Sequence, residues 1–105
     1  MSRTLIHNFQ LGNHDQRRLP ARWTTAGIDS ANIINLMLPG TAVTYYGEEI
    51  GMENAFLTWE ETVDPQARNT DPQRYAEFSR DPERTPLQWD NTKNAGERDS
   101  PVLIV

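Results

Sequence analysis

His14 and Asp15 follow Gly12-Asn13 at the end of a short apolar stretch, with Arg17 and Arg18 directly behind them. A carboxylate beside an imidazole can do acid–base chemistry or hold a polar substrate. A second reading stays open on composition alone. Asn and Asp bond their own backbone and favour plain turns, the commoner occurrence. A metal site built from His7, His14 and Asp15 matches no known ligand spacing, and good ligand sets are far more specific.

Other candidates lie further along. Arg80-Asp81-Pro82-Glu83-Arg84 sets two arginines four apart in a proline-broken segment. Exposed ion pairs are the ordinary outcome there, although a rigidly held guanidinium fork can also grip a polar ligand. Arg17, Arg18 and Arg22 are expected to be solvated or paired with acids. For Glu48-Glu49, loop exposure is the default, with one of the two able to face a site. Trp59, Trp89, Tyr45, Tyr46 and Tyr75 could stack on sugar faces, though aromatic side chains more often fill a core.

The elements that must position these groups are legible in outline. Leu5 to Leu11 reads as a strand, and Gly12 relieves crowding where the chain leaves it. Asp29 is a good N-cap for a helix over Ser30 to Leu38, stopped by Pro39-Gly40. On that helix Ala31, Ile34 and Leu38 share one apolar face, Ile33 and Met37 another, and Asn32 and Asn35 mark a narrower polar side. Thr41 to Tyr46 is rich in β-branched and aromatic residues and predicts a buried strand ended by Gly47. Strand, helix and strand in that order predict a parallel β-α-β unit. The His14-Asp15 pair would then sit at the carboxyl end of the first strand, where parallel α/β folds bind ligands.

The second half is polar and punctuated by Asp64-Pro65, Asp71-Pro72, Asp81-Pro82 and Thr85-Pro86. Asp71 with Pro72 predicts a helix running to about Arg80, and the rest reads as long loop. Loops of that length in compact domains are usually functional. With the apolar residues concentrated in the first half, no large independent core is expected.

Bulk properties narrow the class. The net charge of −5 over 105 residues argues against nucleic acid or an anionic membrane as the main partner. Cysteine is absent, which removes disulfides and thiolate metal sites. No membrane segment is expected, because no apolar run approaches the length a spanning helix needs. The opening MSRTLIHNFQLGNHD lacks the apolar centre of a signal peptide.

Taken together, "LGNHDQRR", "LPGTAVTYYGEEIGM", "WEETVDPQARNTDPQRY" and "SRDPERTPLQWDNTKNAG" resemble the α-amylase superfamily of glycoside hydrolases, most closely its insect maltase and α-glucosidase branch. The likeness covers about Phe9 to Gly96, with several motifs in the right order. It implies an α/β fold: the C-terminal fragment of a (β/α)8 TIM barrel. Phe9 to Leu11 would lie in strand seven, the helix after Asp29 would be helix seven, and Ala42 to Tyr46 would be strand eight. The Pro-rich region becomes the long loop that follows. The whole chain is expected to be one partial catalytic barrel.

The resemblance also implies roles. Such enzymes retain anomeric configuration, using a nucleophile and an acid/base carboxylate about 5 to 5.5 Å apart. Asp15 matches a third aspartate that grips sugar hydroxyls and stabilises the oxocarbenium-like transition state. His14 matches a neighbouring sugar contact, and Arg84 the arginine that helps hold the non-reducing-end glucose. Arg80 stands beside it with a less defined role, and Tyr45 to Glu49 reads as structural at the barrel mouth. No cofactor or metal is implied, and the partner is a small α-glucoside.

The nucleophile and acid/base of the family lie on strands four and five, upstream of these motifs, so the 105-residue chain alone is expected to be inactive. Heavy subunits of amino-acid transporters resemble the same superfamily but tend to lose the catalytic motifs. Intact Asn13-His14-Asp15 and Arg84 favour an enzyme parent. A sugar-binding remnant is the remaining alternative.

Overall fold

The computed structural model describes residues 7–91. Leu5 and Ile6 of the expected first strand, and the matched segment after Asn91, lie outside the described residues. Within them the chain runs as strand β1 (Asn8–Gln10), helix α1 (Leu19–Arg22), helix α2 (Thr25–Met37) and strand β2 (Thr41–Val43). A 3₁₀ turn (Glu48–Ile50), helices α3 (Pro65–Arg68) and α4 (Tyr75–Phe78) and a second 3₁₀ turn (Asp81–Glu83) follow.

The two strands pair in parallel, Asn8 opposite Thr41 and Gln10 opposite Val43. This is the expected β-α-β order. The strands are shorter than the apolar pattern suggests, and β2 is not buried: its residues alternate exposed, half-buried, exposed. Among the described residues no third strand flanks the pair. Beyond Val43 the chain leaves the strand direction, because Tyr46 and Gly47 form a turn. Gly47 has φ +86°, and a Cβ there would lie 2.8 Å from both Arg18 Nη1 and Met52 Sδ. Only glycine fits without strain.

Helix α2 starts a turn earlier than Asp29, after Thr24. The first turn carries Ile28, which among the described residues is one of six buried apolar side chains with Leu19, Ala31, Met52, Leu57 and Ala67. The orientation also differs from the apolar-face reading. Asn35 is buried and donates through Nδ2 to Val43 O at 3.4 Å, while Asn32 donates to Glu48 O at 3.1 Å. Ile33, Ile34, Leu36, Met37 and Leu38 are exposed. The helix thus turns its small and amide side chains towards β2 and the following turn, where close approach and carbonyl partners are available.

The polar second half is ordered by side-chain capping rather than by apolar packing. Asp64, followed by Pro65 at the first position, caps α3 by accepting from Gln66 N. Asp71 accepts from Gln73 N and Arg74 N, as a cap should. Yet the helix it introduces is only Tyr75–Phe78, not Pro72 to Arg80. It stops where Ser79 turns extended and Arg80 N donates to Asp64 Oδ2 instead of continuing the helix. Asp81, also buried, accepts from Val63 N at 2.7 Å and Asp64 N at 2.9 Å.

Candidate active-site cluster

Asp15 lies in a turn after β1, shaped by its own backbone N–H donating to Asn13 Oδ1 at 2.8 Å. The Asx turn of the plain-turn reading is therefore present, and the Asp15 side chain that follows it is half-exposed. The Asp15 carboxylate is 49 % exposed. Its Oδ1 accepts from Arg84 Nη2 at 2.7 Å and from Arg80 Nη1 at 3.1 Å. His14 Nε2 stands 3.3 Å from Oδ2. Arg84 Nε also donates to His14 O at 2.9 Å.

The chain thus joins its first motif to a motif 69 residues later through a single carboxylate oxygen. Of the residues singled out in the sequence, His14, Asp15, Arg80 and Arg84 converge. His7 packs instead near Phe9, ring centres 6.5 Å apart. Among the described residues no group of three histidine or acidic side chains could hold a metal.

Electrostatics fix the state of Asp15. Desolvation opposes its ionisation, but His14, Arg84 and Arg80 outweigh that effect and leave its pKa below the ordinary value. The group is an anion at neutral pH. It can accept hydrogen bonds from hydroxyls and stabilise positive charge, but it is a poor proton donor.

Arg80 is aimed by Asp64, one of the Asp-Pro pairs that punctuate the second half. Asp64 Oδ2 accepts from Arg80 N and Nε, each at 2.9 Å, and Oδ1 accepts from Arg80 Nη2 at 2.8 Å. These bonds hold the Asp64 carboxyl well below the usual carboxylate range, against the cost of burial. The available signal was the Asp-Pro pair, which at Asp64 does head a short helix. The pairing partner sixteen residues on has no local signature.

Of the remaining arginines, Arg17 and Arg22 are exposed as expected, and Arg18 corrects the expectation. Arg18 is buried; its Nη1 donates to Tyr46 O at 2.7 Å, and its guanidinium lies 5.1 and 4.7 Å from the Tyr45 and Tyr46 ring centres. Arg17 and Arg22 donate to backbone carbonyls of Ala76, Arg17 and Leu11. Glu48 is also buried rather than loop-exposed, since its Oε2 accepts from Tyr45 N at 3.1 Å within a tight turn. A Cβ on Gly12 would lie 2.5 Å from its other oxygen, so Gly12 does relieve crowding at the strand exit.

Of the aromatic candidates, Trp59 packs edge-on to Tyr75 at 5.7 Å with Arg68 over its face, whereas Trp89 is exposed. A cleft of about 350 Å³ opens beside the cluster, lined in part by Asp15, Arg17, Arg22, Arg80 and Glu83.

A polar cleft with a fixed carboxylate on the turn after a parallel strand is the arrangement by which α/β folds hold polar ligands. A family model for the α-amylase catalytic domain matches residues 1–104, and the chain belongs to that family. Among its relatives are the salivary alpha-glucosidases of Anopheles gambiae, 53 % identical over 87 % of this chain, and of Aedes aegypti, 55 % identical over 85 %. The chain spans only about 15 % of the length of each. The isomaltulose synthase of Klebsiella sp. LX3 superimposes with a TM-score of 0.65 at 29 % identity, covering 87 % of this chain and 20 % of that one. An amino acid transporter heavy chain of Rattus norvegicus is also similar, but at 34 % identity over 85 % of this chain and 11 % of that one. Among the described residues no helix is long and apolar enough to cross a membrane.

Proposed function

We propose that this chain is the strand-seven to strand-eight piece of a retaining α-glucosidase barrel, with residues 1–105 one partial catalytic domain. The parent enzyme hydrolyses terminal α-1,4-linked glucose from maltose, sucrose-like sugars or short oligosaccharides. Asp15 accepts hydroxyls of the reacting glucose and, being held as an anion, offsets the positive charge of the oxocarbenium-like transition state. His14 lies against the same sugar, and Arg84 holds its non-reducing end while orienting Asp15. Nucleophile and acid/base carboxylates, needed about 5 to 5.5 Å apart across the bond, are contributed from elsewhere in the barrel.

The observation that carries this reading is the convergence of His14, Arg80 and Arg84 on the Asp15 carboxylate. Among the described residues the strand pair has no further neighbour and the apolar side of α2 is exposed, which fits a unit that packs among other β-α units. The similarity to salivary alpha-glucosidases supports the substrate class. The intact Asp15–Arg84 pair speaks against the transporter-subunit reading. The test is immunocapture from the source tissue, with an antibody to Thr85–Gly96. The captured polypeptide is expected to release glucose from maltose. Captured material without α-glucosidase activity would overturn the proposal.

A further inference from the structure

Two tyrosine hydroxyls bond the backbone on either side of Arg84. The Tyr45 hydroxyl donates to Glu83 O at 3.0 Å, and the Tyr46 hydroxyl donates to Thr85 O at 2.6 Å. These two carbonyls flank Arg84 in the chain. Its own amide donates to Asp81 O at 3.0 Å. The backbone is therefore pinned on both sides of the residue, and the guanidinium can reach His14 O and Asp15 Oδ1 together.

The tyrosines are themselves held. Their ring centres lie 4.6 Å apart, tilted by 57°. The buried Arg18 guanidinium stacks against both and donates to Tyr46 O. The glycine at position 47 leaves room for that guanidinium. Burial, and then the neighbouring Tyr46, hold the Tyr45 phenol well above its ordinary pKa, so it stays a donor.

We propose that Tyr45 and Tyr46, with Arg18 stacked on both rings, are positioning residues that aim Arg84 at Asp15. The functional meaning rests on Asp15 and Arg84 being the sugar-holding pair; the positioning itself does not. A motif that reads as structural at a barrel mouth thereby acts on the chemistry two steps removed: ring clamp to loop carbonyls, loop to guanidinium, guanidinium to carboxylate.

The test uses the full 105-residue chain and its Tyr45→Phe, Tyr46→Phe and double variants, followed by NMR. Asp64, held by Arg80 and not by the tyrosines, is the internal control. In the double variant the Asp15 titration is expected to move up towards the ordinary aspartate value while that of Asp64 stays depressed. The Arg84 Nε–H proton should exchange roughly tenfold faster in each single variant, the effect of losing one neutral hydrogen bond. An unmoved Asp15 and an unmoved Arg84 signal would overturn the proposal. So would parallel movement of Asp15 and Asp64, which marks a general loss of structure. No sugar enters this readout. A failed glucosidase assay leaves the positioning claim standing, and an unmoved Asp15 leaves the glucosidase reading standing.

Discussion

Asp64→Asn perturbs one buried carboxylate whose every bond is known. Oδ1 accepts from Gln66 N at 3.1 Å and Arg80 Nη2 at 2.8 Å, while Oδ2 accepts from Arg80 N and Nε at 2.9 Å each. The side chain has no exposed surface. An asparagine offers a single oxygen, so one of the two pairs of donors faces an NH₂ group instead. A hydrogen bond to a charged group contributes about 1.5 to 3 kcal/mol net. Two such losses overstate the effect, because Arg80 is 32 % exposed and recovers partners from water. About 2 kcal/mol for Asp64 follows, or roughly 30-fold in an opening equilibrium. The assay is hydrogen exchange at the Arg68 and Asn69 amides, which bond to Asp64 O and Pro65 O and keep those partners in the variant. They are expected to exchange about 30-fold faster, since their helix opens when its cap fails. Exchange within about twofold of the parent would refute the claim that Asp64 ties α3 to the arginine segment.

Further outcomes are expected. Burial raises the pKa of Glu83, so the folded state binds its proton more tightly than the unfolded state. Its contribution to stability is therefore greatest at low pH and declines as pH rises through and above the ordinary glutamate value. Glu83→Gln should flatten that decline in urea titrations run across pH; an unchanged slope counts against it. The depressed Asp64 pKa acts in the opposite sense. Its stabilisation is full above the ordinary aspartate value and is lost only as pH falls through its own lower value, so the Arg80 Nε–H signal should persist at pH values where exposed aspartates are protonated. Gly47→Ala is expected to destabilise the chain by about 1 to 2 kcal/mol from the left-handed φ alone, before the contact with Arg18 Nη1 and Met52; thermal unfolding reads it.

The legible part of the fold was the part written in local chemistry. Pro39-Gly40 stops α2 within two residues, Gly47 marks the turn after β2, and Asp64 with Pro65 caps α3. Alternation of strand, helix and strand yields the parallel pairing that is observed. What failed did so for tertiary reasons. The apolar stripe of α2 points outward because the face that meets β2 must be narrow and must satisfy Val43 O. Glu48 is buried by a three-residue turn that composition does not encode. In the cluster around Asp15, the residues His14, Asp15 and Arg84 were singled out through the resemblance of their motifs, and the structure brings them together. Asp64 was not, because its meaning depends on Arg80 arriving from across a loop.

The most direct test of the sugar-holding role is a hybrid enzyme. The matching segment of the Anopheles gambiae salivary alpha-glucosidase, 91 residues long, is replaced by that of this chain, and Asp15→Asn is made in the product. The hybrid is expected to hydrolyse maltose, and the substitution to lower kcat by roughly 10²-fold or more, as when a group aligned on transition-state charge is removed. An Asp15→Asn hybrid as active as its parent would contradict the assignment of Asp15.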